Sequence, residues 1–426
     1  MIWQTAVLLG VFVLGLAMRL PVFLSLAMAT VIYSLAFPAM TPLVLVQVLN
    51  RGLESSALSA VALFYLLGAI MNAGGITTRL LTLANALLAP MRGGLAQVNI
   101  GASLLFGGIT GSALADVAAI GSTVVPAMKQ QGYEPAYAAA VTAASAPIAL
   151  LIPPSLPMVL FALFNDVSLE DLFLAGLLPG LLMAAYLFIV ATVIARRRGH
   201  PQGTWQGRRH LGQAIRGASG ALLLPVMLVT ALAQGMATAT ELAALAVVYA
   251  VLLCVVVHRD LTLTELGRAL LSASEDAARI LSIIAVSGAA LWVMGSLGLD
   301  RSIAQGLANL DIEKTRLLAL VAALLVVSGT FVGVGLQLML IVPPLTPMLV
   351  DAGVPILQVG IVAVFASALG LITPPIGVLL FMCASQSGAP IGAVLRELLP
   401  FMAALLLLLI ALVLFEPLST GLGWLS

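Results

Sequence analysis

Charge is what this sequence lacks. Only 8% of its 426 residues are Asp, Glu, Lys or Arg, against 62% hydrophobic, and the mean hydropathy is +1.17. A soluble domain carries about 25% charged residues, so a soluble fold is excluded. Cysteine is nearly absent too: Cys254 and Cys383 stand alone in apolar stretches, which rules out a disulfide framework or a cysteine metal site. Histidine is as scarce. His200, His210 and His258 all fall in or beside basic polar segments, so no histidine triad or metal cluster is available within apolar sequence. A net charge of +1 gives no electrostatic case for nucleic acid, and no Walker A sequence occurs. These absences point away from an enzyme.

What is there is a series of continuous apolar runs. Each is roughly 17 to 25 residues long, the length that spans a bilayer as a helix, and none alternates as a barrel strand does. Spans are predicted near 3–18, 20–37, 56–73, 135–152, 172–195, 218–236, 239–257, 279–298, 355–370 and 396–416. The first run has no basic flank or cleavage site and reads as a retained helix. The longest polar interruption, ARRRGHPQGTWQGRRH (195–210), carries Arg196, Arg197, Arg198, Arg208 and Arg209. By the positive-inside rule it is cytoplasmic, and the segment bearing Arg259, Arg268 and Arg279 belongs to the same side. Glu241, in MATATELAALAVVY, reads as part of a helix cap with Thr238 or Thr240.

The basic loop separates two halves that echo each other. Gly111 precedes Pro126 by 15 residues, as Gly329 precedes Pro344; Gly132 and Gly353, Ser145 and Ser367, and Pro153-Pro154 and Pro374-Pro375 follow in order. Gly329 lies 218 residues after Gly111 and Pro374 lies 221 after Pro153, so one small gap aligns both ends. Paired interruptions in two halves are the sequence pointer to a secondary transporter's binding site.

GGITGSALADVAAIG (107–121) is the first interruption. Gly107, Gly108 and Gly111 permit a tight turn, Thr110 and Ser112 supply oxygens at its tip, and a helix from near Ala113 turns its N-terminal amides toward the same place. A re-entrant hairpin competes here with a glycine-packed helix crossing. Asp116 is a costly intramembrane acid that can touch a cation, relay a proton or brace the hairpin. The echo, VSGTFVGVGLQLMLIVPP (327–344), carries Ser328, Thr330 and Gln337 with Gly329, Gly333 and Gly335, and no acid. Each half closes on a Pro-Pro pair, which either kinks a helix or frees upstream carbonyls. Such carbonyls, with the hydroxyls of Ser145, Ser155 and Thr373, can coordinate a hard cation such as Na⁺. Two pseudo-symmetric cation sites with substrate between them follow.

Residues 112–161, SALADVAAIGSTVVPAMKQQGYEPAYAAAVTAASAPIALLIPPSLPMVLF, resemble the DctM-like large membrane subunit of tripartite ATP-independent periplasmic (TRAP) transporters. ATATELAALAVVYAVL (237–252) and GLITPPIGVLLF (370–381) resemble later signatures of that family, and the likeness covers essentially the whole chain. It implies an all-α polytopic fold of two inverted repeats with re-entrant hairpins and broken helices, within the ion-transporter superfamily of elevator-type carriers. The domains would be N-terminal scaffold helices (1–75), a first transport module (76–195; hairpin 94–128, broken helix 135–164) and the basic loop (196–216). Scaffold helices of the second repeat (217–300), a second module (301–395; hairpin 316–350, broken helix 355–385) and a C-terminal helix (396–426) would complete it.

The same resemblance implies a bacterial inner-membrane permease for an organic acid (a dicarboxylate, sialic acid or another carboxylate) coupled to Na⁺, with H⁺ as the other option. A small four-helix membrane subunit and a periplasmic binding protein would be its partners. A stand-alone carrier of the same superfamily is the alternative. Carried onto this sequence, ion-site candidates are Gly111, Ser112, Ser145 and Pro153 in one half, and Gly329, Thr330, Gly333 and Thr373 in the other. Substrate-side candidates are Thr110, Ser112, Asp116, Ser155, Thr330 and Gln337. Departures from the family pattern are Gly333, where an acid is usual, and Ala149, where a glycine is; the small subunit is expected as a separate chain.

Overall fold

The computed structural model describes residues 2–18, 20, 22–37, 41–53, 56–298 and 313–421. The start of the second transport module (301–312) and the last residues of the C-terminal segment (422–426) lie outside them. Among the described residues the only extended pairing is an isolated bridge, Arg92 to Gln202; the rest of the regular structure is helical.

Helices α1 (Ile2–Ala17), α2 (Val22–Ala36), α3 (Pro42–Leu53) and α4 (Ser56–Ala73) come first, followed by α5 (Ile76–Leu88). Between α4 and α5 the chain bends by 69°, where hydropathy alone gives a single span ending at 73. The cause is Gly74-Gly75: Gly75 has φ +70, and a Cβ on Gly74 would collide with Cys254. Arg79 of α5 then reaches across to Asp260, its Nη2 2.5 Å from Oδ2.

The first hairpin is α6 (Gly94–Thr110), a turn at Gly111-Ser112, α7 (Ala113–Asp116), a π-helical turn (Val117–Gly121) and α8 (Ser122–Gln130). Next comes a broken helix: α9 (Pro135–Ser145), a 3₁₀ turn (Ala146–Leu150), the Pro-Pro break and α10 (Leu156–Asn165). The run predicted as a span at 135–152 is therefore half of a broken one. Three long helices follow, α11 (Leu169–Arg198), α12 (Arg208–Ala233) and α13 (Ala239–Val251), then α14 (Leu263–Ser296). Thr238 is the cap of α13, in a capping box with Glu241. The second hairpin is α15 (Lys314–Gly329), a turn, α16 (Val334–Leu336), a π-helical turn (Gln337–Ile341) and α17 (Val342–Asp351). A second broken helix, α18 (Ile356–Gly370) and α19 (Val378–Ser387), leads to α20 (Ile391–Leu414) and a short α21 (Glu416–Thr420). Among the described residues six helices are long and apolar enough to cross a membrane, or seven if the bent α4–α5 pair is one span.

The hairpins enter from opposite ends. Gly93, at the base of the first, donates its amide to Pro201 O, and Gly203 donates to Ala89 O, so this base sits on the arginine loop. Arg198 at the end of α11 pairs bidentately with Glu397 near the start of α20. A helix of 24 residues is about 36 Å long, and the far end of α20 lies beside the second base: Val413 and Leu414 border one groove with Thr315 and Arg316. Gln358 of α18 donates there to Leu412 O and Val413 O. The repeats are thus inverted.

Their register differs from the gapped alignment above. The internal helix prolines are Pro126 and Pro347, the left-handed glycines Gly132 and Gly353, and the cis prolyl bonds Pro153-Pro154 and Pro374-Pro375; each pair is 221 residues apart. No gap is needed. In this register Gly370 answers Ala149, and Gly329, which packs on Gly370, answers Gly108 beside the Gly107 that packs on Ala149, so Gly329 does not correspond to Gly111. The closely spaced glycines and prolines of both tips admit a three-residue slip that only packing removes. In the corrected register Ser112 faces Gly333, both as N-caps, and Asp116 faces Gln337.

Candidate functional site

Both hairpin tips and both broken helices converge on one cavity of about 250 Å³. Gly111, Ser112, Ala113 and Leu114 come from the first tip, and Gly333, Val334 and Gly335 from the second. Leu150, Leu156, Pro157, Leu160, Leu371 and Val378 come from the broken helices. The remaining wall is Val61 and Tyr65 of α4 and Ile280 of α14. The lining contains no Lys, Arg, Asp or Glu, and its side-chain hydroxyls are those of Ser112 and Tyr65.

Gly111 holds the first tip because nothing else fits. Its φ is +59, and a Cβ there would strike Pro154 O and lie 3.0 Å from Leu156 N. Ser112 then caps the returning arm, accepting from the Ala115 amide at 3.4 Å. At the second tip Gly333 caps with backbone alone. Of the sequence candidates, Gly111, Ser112 and Gly333 therefore line the cavity.

Other candidates are held elsewhere. Thr110 donates to Phe106 O at 3.4 Å, Thr330 to Val327 O at 2.8 Å and Thr373 to Leu369 O at 2.7 Å. Ser155 caps α10, accepting from the Met158 amide and donating to Leu150 O. Pro153 turns its carbonyl toward Gly108, and Gly329 lies against Gly370 and Ser367 O.

Asp116, Ser145 and Gln337 sit behind the tips, fully buried. Ser103 of α6 donates to Asp116 Oδ2 at 2.7 Å, tying the two arms of the first hairpin, and lies 3.1 Å from Ser145 Oγ. Ser145 reaches Asn99 Oδ1 at 3.3 Å, and Asn99 donates to Thr142 Oγ1 at 2.6 Å. In the second hairpin Gln337 Nε2 ties the arms through Ser328 Oγ at 2.6 Å and Leu325 O at 2.8 Å. The far oxygens, Asp116 Oδ1 and Gln337 Oε1, have no hydrogen-bond partner among the described residues. Amide and carboxylate thus brace equivalent arms and leave equivalent oxygens free. Each π-helical turn begins just behind this brace, and its irregular bonding exposes Val117 O, which accepts from Gln386 of α19 at 3.1 Å.

Sequence reasoning missed Asn99, Ser103 and Thr142. Their signal was present: Asn99 and Ser103 are four residues apart on one helical face, as Thr142 and Ser145 are three apart. Tyr65, Val61 and Ile280 carry no such signal, since they look like any other span residue. Among the described residues no group of three His, Cys, Asp or Glu side chains could hold a metal ion.

Residues 9–418 match the family described as the tripartite ATP-independent periplasmic transporter, DctM component. This chain belongs to that family. Among the DctM-type permeases it resembles, the C4-dicarboxylate TRAP transporter large permease protein DctM of Pseudomonas aeruginosa is 33% identical over 374 residues, 88% of each chain. The sialic acid TRAP transporter large permease protein SiaM of Vibrio cholerae is 32% identical over 395 residues, 90% of this chain and 92% of the relative. The 2,3-diketo-L-gulonate TRAP transporter large permease protein YiaN of Escherichia coli is 29% identical over 409 residues, 96% of each chain. The crystal structure of the Alcanivorax borkumensis YdaH transporter shares the fold, with a TM-score of 0.63 at 16% identity and 87% of each chain covered. A DctM-type permease is the large membrane subunit of its system, and this one is a multi-pass protein of the bacterial inner membrane. The positive-inside rule puts the arginine loop, and with it the base of the first hairpin, in the cytoplasm.

Proposed function

We propose that this permease moves a small organic acid across the inner membrane together with Na⁺. A periplasmic binding protein delivers the substrate, and a small four-helix membrane subunit braces the permease. The relatives' names specify a C4-dicarboxylate, sialic acid and 2,3-diketo-L-gulonate, all carboxylates, and the same class is the expected cargo here. The observation that carries the reading is the convergence of two inverted hairpin tips and two broken helices on one cavity.

Charge supports cation coupling. An anion in a cavity without a fixed positive side chain needs countercharge at membrane depth. Backbone amides at the two tips supply part of it, and a co-transported cation supplies the rest. The residues fit such an ion: Asp116 Oδ1 and Gln337 Oε1 are buried, unpartnered oxygens at equivalent places. Each adjoins a candidate, Ser145 through Ser103 and Gly329, whose Cβ would lie 3.2 Å from Gln337 Oε1. Hard oxygen donors of this kind suit Na⁺. Transport then proceeds as an elevator: hairpins and broken helices travel as one body against a scaffold that includes α4 and α14.

Uptake by the reconstituted permease with its small subunit and binding protein tests this reading. An inward Na⁺ gradient should drive accumulation of a carboxylate, and replacing it by K⁺ should abolish accumulation. Accumulation that persists in K⁺ and follows a proton gradient instead would assign the coupling to H⁺. Uptake that needs no binding protein would make the chain a stand-alone carrier.

A further inference from the structure

The cytoplasmic end of the molecule holds a second cavity, remote from the hairpin tips. It is a cleft of about 570 Å³ lined by Met91, Arg92, Thr192, Arg196 and Gln202. It is built rather than incidental. The turn before α6 is clasped to the arginine loop by Gly93 N to Pro201 O and by Gly203 N to Ala89 O, and Gln202 Nε2 donates to Pro90 O at 2.6 Å. This clasp sets Arg92, at the base of the first hairpin, across from Arg196 on the last turn of α11.

Two guanidiniums facing one cleft repel each other unless an anion lies between them. No carboxylate lines it, and neither Arg92 nor Arg196 has an ion pair or side-chain hydrogen bond among the described residues. Arg198, two residues on, differs: Glu397 neutralises it at 2.7 Å, with Glu134 3.8 Å away. The polar groups beside the two arginines are already used. Thr192 donates to Phe188 O and accepts from Gln97. What remains is a pair of planar, multi-donor cations, the geometry that grips a phosphate. Leu87 and Met91 of the same segment are exposed, by 47% and 41%, which places apolar surface beside the cleft, as an acyl chain would need.

We propose that this cleft binds a phosphate-bearing anion that bridges Arg92 and Arg196 and so fastens the base of the first hairpin to α11. The membrane supplies one source, an anionic phospholipid of the cytoplasmic leaflet, which attracts basic groups there; free phosphate has the same chemistry.

The test uses the full-length protein purified in detergent. Phosphatidylglycerol, phosphatidylcholine and inorganic phosphate are titrated separately at matched ionic strength, with thermal unfolding and lipid retention by native mass spectrometry as readouts. Phosphatidylglycerol should raise the unfolding midpoint and be retained. Arg92→Gln and Arg196→Gln should each weaken that effect about fivefold, while Arg197→Gln, outside the cleft, should leave it unchanged. The same arginine-dependent response to inorganic phosphate alone would support the site with a soluble anion as its occupant. Binding that phosphatidylcholine matches, a loss in Arg197→Gln equal to that in Arg92→Gln, or no response to either anion would overturn the proposal.

Discussion

Asp116 keeps one carboxylate oxygen on Ser103 and leaves the other without a partner. Its counterpart Gln337 keeps its amide on Ser328 and leaves its oxygen likewise. Bracing therefore does not require an acid, because an amide does the same work in the second hairpin. On the proposed reading, the charge at Asp116 serves a cation. Asp116→Asn preserves an acceptor for Ser103 and removes the charge. It should leave thermal unfolding nearly unchanged while raising the Na⁺ concentration for half-maximal uptake about tenfold, equivalent to about 1.4 kcal/mol. Asp116→Ala should also destabilise the fold by about 1–3 kcal/mol, since the buried hydrogen bond that ties the two hairpin arms is lost. A Na⁺ titration of initial uptake rates, beside thermal melts of the same variants, separates the two roles. An unchanged Na⁺ requirement in Asp116→Asn would reduce the acid to a brace.

Each hairpin also meets its broken helix in close backbone contact. A Cβ on Gly329 would lie 2.9 Å from Gly370 Cα, and one on Gly107 2.7 Å from Ala149 Cα. At such distances the backbone must move. Gly329→Ala should push the second tip off α18 and cost about 1–3 kcal/mol, with uptake falling more steeply than stability because the cavity wall shifts. Gly10→Ala, where the added methyl meets nothing within 4 Å, is the control. Equal uptake in the two variants at matched membrane levels would show that this contact does not set the cavity. The tips themselves were readable in advance, since Gly111 and Ser112 announce a left-handed residue followed by a cap. Their pairing across the repeat was not. Glycines at 107, 108 and 111, and prolines at 343, 344 and 347, offer several alignments of equal quality. The packing of Gly329 on Gly370 selects one.

Over the whole molecule, composition and the two Pro-Pro breaks sufficed for an all-helical, duplicated membrane fold. Inversion, which the family resemblance implied, rests in the structure on tertiary contacts: the first base on the arginine loop and the second beside the far end of α20. The end of the predicted span at 73 marked the place of the bend, but α5 beyond Gly74-Gly75 was hidden, because Thr77, Thr78 and Arg79 break its apolar run. Half of the cavity was legible from the tips, while Tyr65 and Ile280 became visible only when α4 and α14 were placed against them. That juxtaposition is the heart of the account, since an elevator must slide the tips past those helices. It can be tested with Tyr65→Cys and Ser112→Cys combined, after Ala replaces the buried Cys254 and Cys383. A bifunctional thiol reagent should join the two positions, stop Na⁺-driven uptake in proteoliposomes, and release it on reduction when the linker is a reducible one. Full uptake by protein that is quantitatively crosslinked would contradict the account, because the tips would then carry substrate without moving past α4.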